Sequence, residues 1–247
     1  MKIIDRFFGL LFPRRIKCAV CGKDTPDGRL CEGCRAEHAL YSAHRCKRCD
    51  RAIFGEGDYC LLCKDNDYSF ERVLSAFDFK ENIAGLVHSF KFGNKRYLSS
   101  FFAAEMADRY RELGIKADCL VAVPMTEKAI KKRGYNQASL LATEISNRIG
   151  VPLSENLVKL RDTEEQAQLG YNERQKNLDR VFAVPDKREF SGKRVVLIDD
   201  VYTTGATANE CSRVMLKAGA LEVYVLVAAT RPQSKVTAKD KKRKRIE

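Results

Sequence analysis

Residues 195–207, VVLIDDVYTTGAT, constrain the fold of this chain more than any other stretch. Four apolar residues run straight into Asp199 and Asp200, a short loop of Thr and Gly follows, and a helical pattern starts near residue 206. An apolar run without alternation reads as a strand buried on both faces, the situation of a parallel sheet covered by helices. The chain after residue 64 repeats that logic. Strands are expected at 72–79, 118–124, 193–200 and 222–230, and helices at 82–92, 97–113, 135–150 and 206–218. Glycines at 114, 150 and 219 stop three of those helices. The expected fold class is therefore α/β, with a parallel sheet covered by helices on both faces. Ligands of such sheets sit at the carboxyl ends of the strands, where Asp199 and Asp200 stand.

The chemistry of the stretch is specific. Thr203, Thr204, Gly205, Ala206 and Thr207 bring backbone N–H groups and hydroxyls to a helix N-terminus, where the dipole favours an anion. Gly205 permits close backbone approach and a tight turn. A phosphate suits that cradle. Two acceptor-only carboxylates one step upstream suit a vicinal diol, such as the 2′ and 3′ hydroxyls of a ribose. Phosphate and diol together describe a ribose 5-phosphate. A Walker B strand would need an upstream G-x-x-x-x-G-K-[ST], and SGKR at 191–194 lacks its first glycine and its hydroxyl. A receiver domain would carry its acid pair on its first strand. The plain alternative is an acidic turn followed by a helix cap.

Eight of ten cysteines form four C-x2-C pairs: Cys18/Cys21, Cys31/Cys34, Cys46/Cys49 and Cys60/Cys63. In a cytosolic chain such pairs are metal knuckles before they are disulfides. Two structural four-cysteine zinc sites fit, each closing a ribbon of about 17 residues. Sequential pairing and a cross-braced pairing of first with third knuckle both remain open. The segment 18–63 has few large apolar residues, so metal must hold it, at roughly 10–16 kcal/mol of apparent binding per site. The knuckle HRCKRCDR places Arg45, Lys47, Arg48 and Arg51 around Cys46 and Cys49. Such a ribbon either scaffolds or grips nucleic acid, and the sequence leaves both open. Cys119 and Cys211 fall in apolar patterns and read as core residues.

The chain carries a net charge of +12, and residues 231–247 hold eight Lys and Arg against two acids. That segment reads as a basic disordered tail and a polyanion-binding arm. Phe90, Phe92 and Tyr97 interleave with basic residues in SFKFGNKRY and are candidates to stack on exposed bases. No apolar run approaches the ~20 residues of a membrane span. MKIIDRFFGLLFPRR, interrupted by Asp5 and Arg6, reads as an amphipathic helix rather than a signal peptide, so a cytoplasmic setting is expected. The domain reading is an N-terminal helix with zinc ribbons over 1–66, an α/β domain over 67–230 and the tail over 231–247.

VVLIDDVYTTGAT is similar to the phosphoribosyl pyrophosphate (PRPP) signature of type I phosphoribosyltransferases. The whole chain resembles the ComF family of competence proteins. The resemblance runs through HSFKFGNKRYL (88–98), VAVPMTEKAIKKRGYNQA (121–138) and LRDTEEQAQLGYNERQKNLDRVF (160–182). It implies a double zinc ribbon joined to a type I phosphoribosyltransferase-like domain, a Rossmann-like parallel sheet that binds PRPP with magnesium. It further implies work on single-stranded DNA in natural transformation, beside a competence helicase and recombination factors. Asp199 and Asp200 then stand at the ribose. Thr203 to Thr207 hold the 5-phosphate, and Lys131, Lys132 and Arg133 supply cations for the diphosphate. Lys91 is a further candidate. Arg161, Gln166, Arg174 and Asn177 fall in a closing loop. Turnover, a transfer of ribose 5-phosphate to an acceptor, is the alternative to binding alone.

Overall fold

A computed structural model of the chain describes residues 17–38, 44–53, 56–112, 114–162 and 180–232. The expected N-terminal amphipathic helix, the closing loop with Gln166, Arg174 and Asn177, and the basic tail beyond Pro232 lie outside the described residues.

The strands are β1 (Val73–Asp78), β2 (Cys119–Ala122), β3 (Leu153–Ser154), β4 (Val158–Lys159), β5 (Phe182–Ala183), β6 (Arg194–Tyr202) and β7 (Glu222–Thr230). The helices are α1 (Glu32–Glu37), α2 (Leu61–Lys64), α3 (Glu81–Phe92), α4 (Leu98–Glu112), α5 (Glu127–Arg133), α6 (Gln137–Ile149) and α7 (Ala206–Lys217). Five strands form one sheet in the order β1-β7-β6-β2-β3, with every neighbouring pair parallel.

Strand β6 lies inside that sheet, and its apolar run is divided between two cores. Val195 and Leu197 point into one cluster with Cys211 and Met215 of α7. Val196 and Ile198 point into the other with Phe102 of α4 and Leu141 of α6. All four are fully buried, each contributing about 1.5–3 kcal/mol of hydrophobic stabilisation. A strand with no solvent face needs no polar alternation, which is why its sequence reads as a run.

The segment before residue 135 departs from the sequence reading. Between the strand expected over 118–124 and the helix expected over 135–150, where no element is expected, the chain forms the short helix α5. The Thr126 side chain caps it by accepting from the Ala129 N–H, and Gly134 ends it at φ 92°. The two-residue strands β4 and β5 pair antiparallel at the two ends of segment 160–181. Strands that short leave no periodicity to read.

The ribbons join opposite cores. Cys18, Leu30 and Cys34 pack in the cluster of α4, where Arg29 pairs with Glu105 at 2.9 Å and Asp108 at 2.6 Å. Cys46, Cys49 and Cys60 pack in the cluster of α7. Asp50 is fully buried and joins the second ribbon to the sheet. It accepts from Ser75 N at 2.9 Å, Arg45 Nε at 3.2 Å and Arg109 Nη2 at 3.3 Å. A buried carboxylate is stable only with such compensation. Among the described residues, no helix is long and apolar enough to cross a membrane.

Candidate functional site

An open cleft of about 840 Å³ lies at the carboxyl ends of the strands. The end of β6 delivers Asp199 and Asp200, and the turn into α7 delivers residues 203–207. Lys91 enters from the last turn of α3, and Lys132 and Arg133 from the last turn of α5. Residues far apart in the chain thus meet around one space.

The acids are not in bulk-like surroundings. Burial first, and the neighbouring Asp200 charge second, push the Asp199 carboxyl up to about 7. Lys91 and the Asp200 N–H, which donates to Asp199 Oδ1 at 2.8 Å, oppose that rise. Lys91 Nζ lies 2.8 Å from Asp200 Oδ1. Its helix end is tied down, since Tyr135 donates to the Phe90 carbonyl and Gln137 Nε2 to the Lys91 carbonyl at 3.4 Å. The Arg133 guanidinium lies 5.3 Å from the Phe92 ring centroid and donates to Gln137 Oε1 at 3.2 Å. A guanidinium held in this way keeps its planar fork for an anion.

The loop of residues 203–205 turns tightly. Gly205 has φ 86°, and a Cβ there would collide with the hydroxyl and ring of Tyr202. Only glycine meets both the angle and the space. The first N–H groups of α7 open towards the cleft with no intrahelical partner. The arrangement offers anion donors at one end, carboxylate acceptors beside them and cations across the cleft.

Other expected residues fall elsewhere. Arg161 is exposed and does not line the cleft, while Lys131 is exposed beside it. Phe90 is fully buried and cannot stack on a base, whereas Phe92 and Tyr97 are 62% and 70% exposed. The basic knuckle turns inward. Arg51 donates to the Thr203 carbonyl at 2.5 Å, Arg48 to the Phe70 carbonyl at 2.9 Å, and Arg45 to Asp50 and Asp78. Lys47 alone of the four is an exposed side chain, paired with Asp58 at 2.7 Å. These three arginines hold carbonyls and carboxylates of the chain itself, the contacts that a scaffolding ribbon makes. Cys119 and Cys211 are buried core residues. Burial pushes Cys119 up to about 11 and Cys211 well above the usual thiol range, so both stay protonated.

His88, Lys128, Lys159 and Arg231 also line the cleft, and none of them stood out in the sequence. His88 meets Phe92 in a tilted ring contact at 4.9 Å between centroids, and Arg231 covers Phe79 at 5.4 Å. Lys128 sits one turn before Lys132 in a basic helix, a spacing that was available as a signal.

The cysteines cluster sequentially, Cys18 with Cys21, Cys31 and Cys34, and Cys46 with Cys49, Cys60 and Cys63. Within each group the sulfurs lie within 4.8 Å of one another. Two of the separations are 3.5 Å (Cys21–Cys31) and 3.6 Å (Cys49–Cys60). A tetrahedron with Zn–S bonds of about 2.3 Å has edges of about 3.8 Å, so both groups fit zinc. Cross-bracing is excluded.

Residues 104–247 match the phosphoribosyl transferase domain family, and residues 7–64 match the double zinc ribbon domain. The chain is 30% identical to "Competence protein F" of Haemophilus influenzae over 79% of this chain and 88% of that protein. It is 27% identical to "DNA utilization protein YhgH" of Escherichia coli over 84% of this chain and 87% of that one. To "Competence protein ComFC" of Bacillus subtilis it is 26% identical, over 78% and 80%.

Proposed function

The chain belongs to the ComF family of competence proteins, built from a double zinc ribbon and a phosphoribosyltransferase domain, and from that premise we propose that it binds PRPP while handling single-stranded DNA. One observation carries the PRPP half. An acid pair, a helix N-terminus behind a glycine turn, and the cations Lys91, Lys132 and Arg133 line a single cleft. In this reading Thr203 to Thr207 hold the 5-phosphate, Asp199 and Asp200 the ribose hydroxyls, and Lys132 and Arg133 the diphosphate. Magnesium bound to the diphosphate would neutralise part of its charge, leaving the rest to Lys132 and Arg133.

The DNA half rests on chemistry at the rim. Phe92 and Tyr97 expose aromatic faces on a segment that also carries His88 and Lys91, with Arg133 against Phe92, the combination that stacks bases while tracking a backbone. The eight Lys and Arg of residues 231–247 add a sequence-independent attraction for phosphates. The relatives' names, competence and DNA utilization, fit a protein that meets incoming DNA in natural transformation. A helicase and recombination factors are the partners that such a role calls for.

Transfer of the ribose 5-phosphate is the second reading, favoured by the acid pair. As the bond from C1 to the pyrophosphate oxygen breaks, positive charge grows on the sugar, and carboxylates at the ribose stabilise it. The acceptor forms the new bond to C1, and the electron pair of the old bond leaves with pyrophosphate.

Equilibrium dialysis with labelled PRPP and fluorescence anisotropy with a labelled oligonucleotide test the two halves separately. The expected results are retention of PRPP with magnesium, and DNA affinity that falls linearly with the logarithm of salt concentration on logarithmic axes. Absence of both in the zinc-loaded chain contradicts the proposal. Pyrophosphate release on adding an acceptor would establish transfer.

A further inference from the structure

The carbonyls under the loop at the start of α7 are all occupied. The Tyr202 carbonyl accepts from Arg231 N at 2.9 Å and the Gly205 carbonyl from Asn209 N at 2.7 Å, both backbone bonds. Between them, the Thr203 carbonyl accepts from Arg51 Nη2 at 2.5 Å and the Thr204 carbonyl from Tyr68 Oη at 3.2 Å. These two donors come from far away in sequence. Arg51 follows Cys49 by two residues inside the second ribbon, and Tyr68 lies just beyond Cys63.

A trans peptide unit is planar, with its C=O and N–H pointing in opposite directions. Holding the Thr203 carbonyl therefore aims the N–H of Thr204 the other way, and holding the Thr204 carbonyl aims the N–H of Gly205. Thr204 and Gly205 both line the cleft. The residues that hold them are rigidly set. Arg51 is 4% exposed, with its guanidinium 5.8 Å from the Tyr202 ring centroid. Tyr68 stacks on Phe70 at 4.9 Å, and Phe70 meets Tyr202 edge-on at 6.1 Å. The Ser69 N–H donates to Asn209 Oδ1 at 2.6 Å, pinning the same segment to α7.

We propose that Arg51 and Tyr68 are positioning residues that aim the Thr204 and Gly205 amides at the phosphate, so that the second zinc ribbon is part of the anion site. The inference rests on the PRPP reading above and assigns the ribbon a task in it. Without the Arg51 donor, the peptide between Thr203 and Thr204 is free to rotate, and the cradle must be ordered at the expense of binding.

The test uses the full zinc-loaded chain with Arg51→Met, Arg51→Lys and Tyr68→Phe. Zinc content, PRPP affinity by calorimetry, and amide hydrogen exchange over residues 203–206 are measured on each. Arg51→Met is expected to weaken PRPP binding about tenfold or more, and Tyr68→Phe about fivefold, at unchanged zinc content. Exchange at 203–206 speeds up in both, and Arg51→Lys recovers part of the affinity. Where Arg51→Met loses zinc, Tyr68→Phe, which deletes a single oxygen, decides alone. Variants that keep wild-type affinity and wild-type exchange overturn the inference and leave the PRPP reading standing. A wild-type chain that binds no PRPP overturns both.

Discussion

Lys91 Nζ stands 2.8 Å from Asp200 Oδ1, a cation from the end of α3 set on an acid at the end of β6. The pairing offsets part of the charge of two adjacent carboxylates, of which Asp200 is buried and Asp199 half-buried. Lys91→Met removes that compensation. It is expected to lower stability at pH 8 by roughly 1–3 kcal/mol, and by less at pH 6, where the acid pair carries a proton. Urea denaturation at the two pH values measures the difference. Equal losses at both would show that Lys91 acts through packing alone.

Asp199 gives stability a distinctive pH dependence. Its carboxyl titrates at about 7 in the folded chain, above the ordinary 3.8, so the folded chain binds the extra proton between those limits. This group's contribution to stability therefore falls as pH rises from about 4 to about 7 and is level above that. Asp199→Asn removes the slope, raises stability at pH 8, and weakens PRPP binding by deleting a carboxylate acceptor. PRPP affinity in the wild type rises through the same window, because the ribose hydroxyls need the ionised form. Melting curves and titrations from pH 5 to pH 8 check both signs.

The ribbons should respond differently to removal of metal. Cys49→Ser disturbs the second cluster, next to Arg51, while Cys21→Ser disturbs the first, packed on the opposite core. Each variant is expected to bind about one zinc fewer than the wild type. PRPP affinity falls in Cys49→Ser and holds in Cys21→Ser. Metal analysis beside calorimetry reads both, and equal effects would contradict a second ribbon coupled to the cleft.

Base stacking separates from charge in the DNA reading. Phe92→Ala and Tyr97→Ala, both at exposed rings, are each expected to lower affinity for a single strand by about 1–3 kcal/mol without changing the salt slope. Truncation after residue 232 does the reverse, flattening the slope by roughly one unit for each phosphate that the tail neutralises. Anisotropy titrations at four salt concentrations distinguish the two.

What was legible in the sequence was what local pattern determines. The run Val195–Ile198 marks a strand because both its faces are covered, and Asp199 and Asp200 stand out because carboxylates are rarely buried unless paired. Cysteine spacing located the zinc groups, but their sequential pairing became visible only in space. The direction of Arg51 was not legible at all. A basic knuckle reads the same whether its side chains face a nucleic acid or a carbonyl 152 positions away. The burial of Phe90 was legible, because it shares a helical face with Ile83 and Val87 in the helix expected over 82–92, whereas Phe92 falls outside that face. Helix α5 did carry a local signal, a threonine three residues before the N–H it caps, but its seven mostly charged residues are too few to show an apolar period.

The PRPP site is the centre of this account, and a calorimetric titration of PRPP with millimolar magnesium into the zinc-loaded chain tests it most directly. Saturable binding of about one PRPP per chain is predicted. That binding should disappear when Asp199→Asn and Asp200→Asn are combined. No binding by the wild type, or equal binding by the double variant, would contradict it.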